Sequence, residues 1–134
     1  MAGILATPDI LKIILNNISS ENQLLKLFTN DITPTETTVV AAFTEASGGG
    51  YAAKALAGAS WTFSTSNGIQ TASYASQTWT FSGALSGSAT VYGWYIVQDT
   101  SGKLIASQRL DDPVTPATAN DIIIVVPRIQ AISE

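Results

Sequence analysis

Residues 91–110 read VYGWYIVQDTSGKLIASQRL, and this stretch decides the fold class. Its first half puts Val91, Tyr95 and Val97 on one side of an extended strand and Tyr92, Trp94 and Ile96 on the other, because strand side chains alternate with a period of two. Both sides are apolar, which predicts a central strand covered on both faces. Asp99-Thr100-Ser101-Gly102 supplies turn residues: Asp suits the first turn position, and Gly takes the positive φ that closes a short loop. Lys103 to Leu110 returns with more polar residues, as expected near an edge or a solvated face. A hairpin covered on both sides needs two layers of partners. The expected fold is therefore all-β, a two-sheet β-sandwich of jelly-roll-like or Ig-like form.

The remaining chain agrees in class. Its 134 residues suffice for one domain with a sizeable core. Residues 1–22 read as an N-terminal helical arm or lid and 23–134 as a single β-sandwich domain. The arm carries a short amphipathic helix over 7–18: Thr7 is a good N-cap, Pro8 fits the first helical position, and Asp9 complements the helix dipole. Ile10, Ile14 and Ile18 align at i, i+4 spacing with Leu11 and Leu15 beside them.

Residues 23–29 (QLLKLFT) read as a strand. Glu36 to Glu45 accepts either strand or helix, and Gly48-Gly49-Gly50 reads as a flexible loop. Ser60 to Ser64 alternates, Asn67-Gly68 is a strong two-residue hairpin turn, and Ile69 to Tyr74 returns. This register sets Phe63 opposite Ala72 and Trp61 opposite Tyr74. Gln77 to Phe81 alternates likewise. Residues 111–120 read as a polar loop with two prolines. The β-branched run 121–126 (DIIIVV) reads as a strand buried on both faces, and Arg128 to Ile132 alternates toward the C-terminus.

Composition excludes several functions. Net charge is −4, and the six basic residues are scattered singly, which argues against nucleic acid, whose backbone calls for a clustered basic patch. The chain has no Cys and no His, so disulfides, cysteine metal sites and Ser-His-Asp or Cys-His catalysis are excluded within it. No signal peptide is expected, and no apolar run approaches the roughly 20 residues of a membrane span.

Asp111-Asp112 with Asp99 or Asp121 lacks the spacing of a calcium loop and reads as a turn initiator. Glu36 with Glu45, or Asp31 with Glu36, are carboxylate pairs of the kind chance supplies. Trp61, Trp79 and Trp94, interleaved with Ser and Thr, read as core before they read as a sugar-stacking platform. Arg109 stands inside a strand and pairs with a carboxylate, marks an intersubunit contact or faces solvent at an edge, the last being the plainest reading. No catalytic, cofactor-binding or metal residues are assigned, no cofactor is implied, and the chain is not expected to be an enzyme.

Several stretches carry a resemblance: LFTNDITP at 27–34, FTEA at 43–46, GGYAAK at 49–54 and VYGWY at 91–95. Together with the placing of the N-terminal segment and of Lys103 to Arg109, they cover most of the chain. They resemble a family of small virion structural proteins of tailed bacteriophages. The resemblance implies a capsid decoration (cement) protein that binds and stabilises the shell of the major capsid protein. The alternative is a tail or fibre component acting as a receptor- or glycan-binding module. It further implies location on the capsid exterior, in the host cytoplasm during assembly, as a homo-oligomer (dimer or trimer) without nucleic-acid or membrane partners. A cement protein binds through exposed arms, loops and strands. The expected contact residues are Ile10, Leu11, Ile14 and Leu15 in the N-terminal arm and Arg128, Ile129 and Ile132 in the C-terminal segment.

Overall fold

The computed structural model describes residues 20–35, 37–67 and 69–132, without the side chains of Ala131 and Ile132. The helix expected over 7–18, with Ile10, Leu11, Ile14 and Leu15, lies outside the described residues. Within them the chain is almost wholly β: β1 (Gln23–Phe28), β2 (Lys54–Leu56), β3 (Thr62–Ser66), β4 (Ile69–Ser73), β5 (Gln77–Thr80), β6 (Val91–Gln98), β7 (Leu104–Val114), β8 (Ile122–Val125) and β9 (Arg128–Ile132). They form antiparallel sheets of order β2-β1-β6-β7, β3-β4-β9 and β5-β8. Among the described residues no helix is long and apolar enough to cross a membrane.

One apolar cluster receives side chains from all three sheets. Leu25, Leu27, Leu56, Val91, Trp94 and Ile96 come from the first, Ala72 from the second, and Trp79, Ile123 and Val125 from the third, with Trp61 and Phe81 beside them. The β3–β4 hairpin has the expected register, with Phe63 opposite Ala72. Trp61 meets the Tyr74 ring edge-on at 5.3 Å. Its indole Nε1–H donates to Gln23 Oε1 at 2.8 Å, which satisfies two polar groups that burial would otherwise leave costly.

The central strand is β6, covered on both faces, but its facing differs from simple alternation. Pairing with β7 shifts between Val91↔Val114 and Gly93↔Arg109. Tyr92 alone stands there against residues 110–113 of β7, so the extra residues lie on β7, and the facing of β6 changes parity across the same irregularity. Val91 therefore joins Trp94 and Ile96 in the main core, while Tyr92 packs with Tyr95 and Val97 on the outer face. At the bulge Gly93 lies opposite Phe28. A Cβ built there would fall 2.3 Å from the Gln108 carbonyl oxygen and 2.5 Å from the Phe28 ring, so the ring occupies the space a side chain would take.

Three further expectations are corrected. Residues 111–114 are not loop: Asp111, Asp112, Pro113 and Val114 continue β7. This is an outer strand, where a proline without N–H is tolerated. The glycine loop is docked rather than flexible. Gly48, Gly49 and Gly50 all have positive φ, and the loop bonds the 82–86 segment through Ser82 N to Gly49 O at 2.9 Å and Ser86 N to Ser47 O at 2.8 Å. Finally, β8 is buried on one face only. Ile123 and Val125 are core, whereas Ile122, Ile124 and Val126 are exposed.

Gly93→Ala is expected to destabilise the protein by about 2–3 kcal/mol, because the new methyl meets backbone on one side and a packed ring on the other. Thermal unfolding should show a fall in Tm of roughly 10 °C, and an unchanged Tm would contradict this account of the bulge.

Candidate functional site

Residues 29–35 and 37–46 form a flap over the outer face of the four-stranded sheet, where Asp31, Arg109, Glu45, Lys26 and Tyr51 come together in ties. The flap follows β1 and returns to bridge it at Phe28↔Glu45. Its underside is apolar. Phe43 stacks on Tyr95 at 4.5 Å and meets Phe28 at 4.9 Å, with Ile32 packed alongside. Burial of aromatic rings in this small second core holds the flap down.

Polar side chains tie its ends. Asn30 Nδ2 donates to Ala42 O at 2.8 Å, and Asn30 Oδ1 accepts from Thr44 N at 2.8 Å. One amide thus bridges both limbs of the flap as a backbone pair would. Arg109, on β7, donates to Asp31 Oδ1 at 2.6 Å and to Ile32 O at 3.0 Å, and its guanidinium lies 5.2 Å from the Tyr92 ring centroid. Of the readings open to Arg109 in the sequence, the pair with a carboxylate is found.

On the other side, Glu45 pairs with Lys26 at 3.3 Å and accepts the Tyr51 hydroxyl at 3.0 Å. That hydroxyl also accepts from Leu27 N at 3.2 Å, capping β1 where β2 has ended. Burial, reinforced by the Glu45 charge, holds the Tyr51 phenol well above the ordinary tyrosine range. Tyr95 is raised to about 12, first by burial and then by Glu45.

At the tip of the flap a short 3-10 turn, Val40–Ala42, leaves Val39 and Val40 62% and 41% exposed. A second exposed apolar feature is the β8 stripe of Ile122, Ile124 and Val126. Between β7 and β9 lies a slot of about 430 Å³ lined by Trp94, Ala106, Ser107, Gln108, Arg128 and Gln130.

The sequence-predicted contact residues divide. Arg128 is exposed at the rim of that slot. Ile129 packs against the main core. Ile132 pairs with Ile69, so 128–132 is a strand of the β3-β4-β9 sheet. Trp61, Trp79 and Trp94 are all buried and offer no stacking platform. Asp121 is turned inward on its own loop, where the amides of Ala117 and Thr118 hold its carboxyl below the usual range. Among the described residues no three carboxylates gather as a cation site. The exposed valines and isoleucines were missed because β-branched runs read as core. The signal lay in the partner strand: Thr78 and Thr80 pair with Ile124 and Ile122, and cross-strand partners share a face.

Compared with known proteins, the chain matches no family model, no curated protein and no solved structure.

Arg109→Ala should cost about 1 kcal/mol, a value limited by the solvent exposure of the pair, and should speed amide hydrogen exchange in 29–35 more than in β6. An equal change in both would show that Arg109 does not act through the flap. The phenols set an alkaline limit. A tyrosine titrates near about 10 when unfolded, and the folded values are higher. Their contribution is therefore complete below that pH and is lost as pH rises through the folded pKa. Tyr95→Phe should reduce the loss of stability between pH ~10 and ~12 measured by denaturant titration, and an unchanged alkaline limb would refute the assignment.

Proposed function

We propose that this chain is a structural protein of a tailed-phage virion, specifically a capsid decoration protein that binds and stabilises the shell of the major capsid protein. Its role on this reading is binding and not catalysis, exerted on the capsid exterior after assembly from the host cytoplasm. The β domain is read as a two-layer sandwich, jelly-roll-like or Ig-like. The four-stranded sheet is one layer. The other runs through β3, β4–β5 and β9–β8, joined where Tyr74 N donates to Pro127 O at 3.0 Å.

The observation that carries the reading is the pinned flap with its exposed apolar tip. Asp31 is tied to Arg109, Glu45 to Lys26 and Tyr51, and Asn30 across both limbs. The large apolar side chains that the described part of the flap turns outward are Val39 and Val40. A pre-ordered apolar tip loses little conformational entropy on contact, which suits a protein that must bind many equivalent shell sites. The stretches that carry the family resemblance supply these ties. Residues 27–34 give Phe28, Asn30 and Asp31, residues 43–46 give Phe43 and Glu45, and residues 49–54 give Tyr51.

Purified virions separated into heads and tails should carry this chain in the head fraction, at a copy number near that of the major capsid protein by quantitative mass spectrometry. Confinement to the tail fraction would replace the reading with a tail or fibre role, and absence from both would remove the virion assignment. The double substitution Val39→Asp, Val40→Asp should abolish binding to capsids while leaving Tm within a few degrees, as expected for exposed positions.

A further inference from the structure

We propose that two copies of this chain associate through β8, edge to edge and antiparallel, about a two-fold axis at Ile124. This gives a surface to the homo-oligomer that the resemblance implies, and it rests on observations separate from the flap.

The phase of the β5–β8 ladder gives the first of them. Phe81 N donates to Asp121 O at 2.8 Å, and Trp79 and Gln77 lie opposite Ile123 and Val125. In an antiparallel ladder alternate residues aim both N–H and C=O at the same neighbour. Ile123 and Val125 therefore serve β5, as does the Asp121 carbonyl, and Ile122 and Ile124 aim their backbone groups the other way. Pro127 O accepts from Tyr74 N, so Val126 shares the phase of Ile124. Among the described residues β5 is the only strand paired with β8.

The same three residues carry the exposed side chains, at 51%, 56% and 58% for Ile122, Ile124 and Val126. Open strand edges are ordinarily guarded by a lysine, a proline or a bulge within the strand. Residues 122–126 read IIIVV and contain no such guard.

A second β8 fits this edge in one register. With Ile124 on the axis, Ile122 of each copy faces Val126 of the other and Ile124 faces its own equivalent. The outward N–H and C=O groups then meet as hydrogen-bonded pairs, and the β-branched side chains form cross-strand contacts on one face.

The test uses the full chain and two substitutions at one exposed position. Sedimentation equilibrium should give a dimer for the wild type. Ile124→Lys, which sets two ammonium groups face to face on the axis, should weaken dimerisation about 100-fold or more. Ile124→Cys introduces the sole thiol, since the chain has no cysteine. Facing residues of a hydrogen-bonded pair lie about 5.5 Å apart between Cα atoms, within disulfide reach, so mild oxidation should cross-link it as a dimer. Thr65→Cys, exposed on β3, should remain single under the same conditions. A wild type that is monomeric at its highest soluble concentration overturns the proposal. So does a dimer that survives Ile124→Lys and gives no cross-link through Ile124→Cys. Either failure leaves the head-fraction result standing. Virions lacking the chain would remove the capsid reading and leave a β8 dimer intact.

Discussion

Gly93 lies beneath the Phe28 ring, beside the irregular pairing of β6 with β7, and the close cover of the outer face of the central strand depends on that contact. Without a side chain at 93 the ring can close over the backbone. A Cβ there would fall 2.3 Å from Gln108 O and 2.5 Å from the ring. The facing of β6 changes parity at this point. Trp94 and Ile96 then face the main core together with Val91, and Tyr92, Tyr95 and Val97 face outward together. Had the alternation run unbroken, Val91 and Tyr92 would each have faced the wrong layer. The outer trio needs a cover, and the flap supplies it through Phe43 and Ile32.

The flap's polar residues follow from the same need. A segment without regular structure over a sheet leaves backbone groups and charges to be satisfied. Here Asn30 acts as a surrogate strand partner, Arg109 holds the descending limb, and Glu45 with Tyr51 holds the returning one. Residues that resemble candidates for acid–base or anion chemistry when read singly are in fact the fastenings of a cover. This leaves the exposed apolar positions as the outward-facing features, at the flap tip and along β8. A domain with such positions is suited to contact with other folded surfaces, and their separation on different elements lets the two proposed contacts, with a second copy and with a shell, be distinct.

The sequence by itself determined the class of fold and much of the local pairing. Strict alternation around Asn67 set the β3–β4 register, so that Phe63 faces Ala72 as expected. The Asp99 to Gly102 turn set the β6–β7 hairpin, and the three tryptophans, alternating with small polar residues, went to the core. These are short-range signals, and period and turn chemistry are sufficient to read them.

Only the tertiary structure decided which faces are covered. The IIIVV run of 122–126 has the same composition whether one side or both are buried; its pairing with Thr78 and Thr80 exposes Ile122 and Ile124. The Gly48 to Gly50 stretch reads as loose until the 82–86 segment is brought against it. The close cover over Gly93 depends on Phe28, which is remote in sequence. Arg109 and Asp31 form an ion pair across a sequence separation of 78. Each of these outcomes is a contact between segments far apart in the chain. Local propensity carries no information about which partner will arrive, and burial is a property of the partner as much as of the residue.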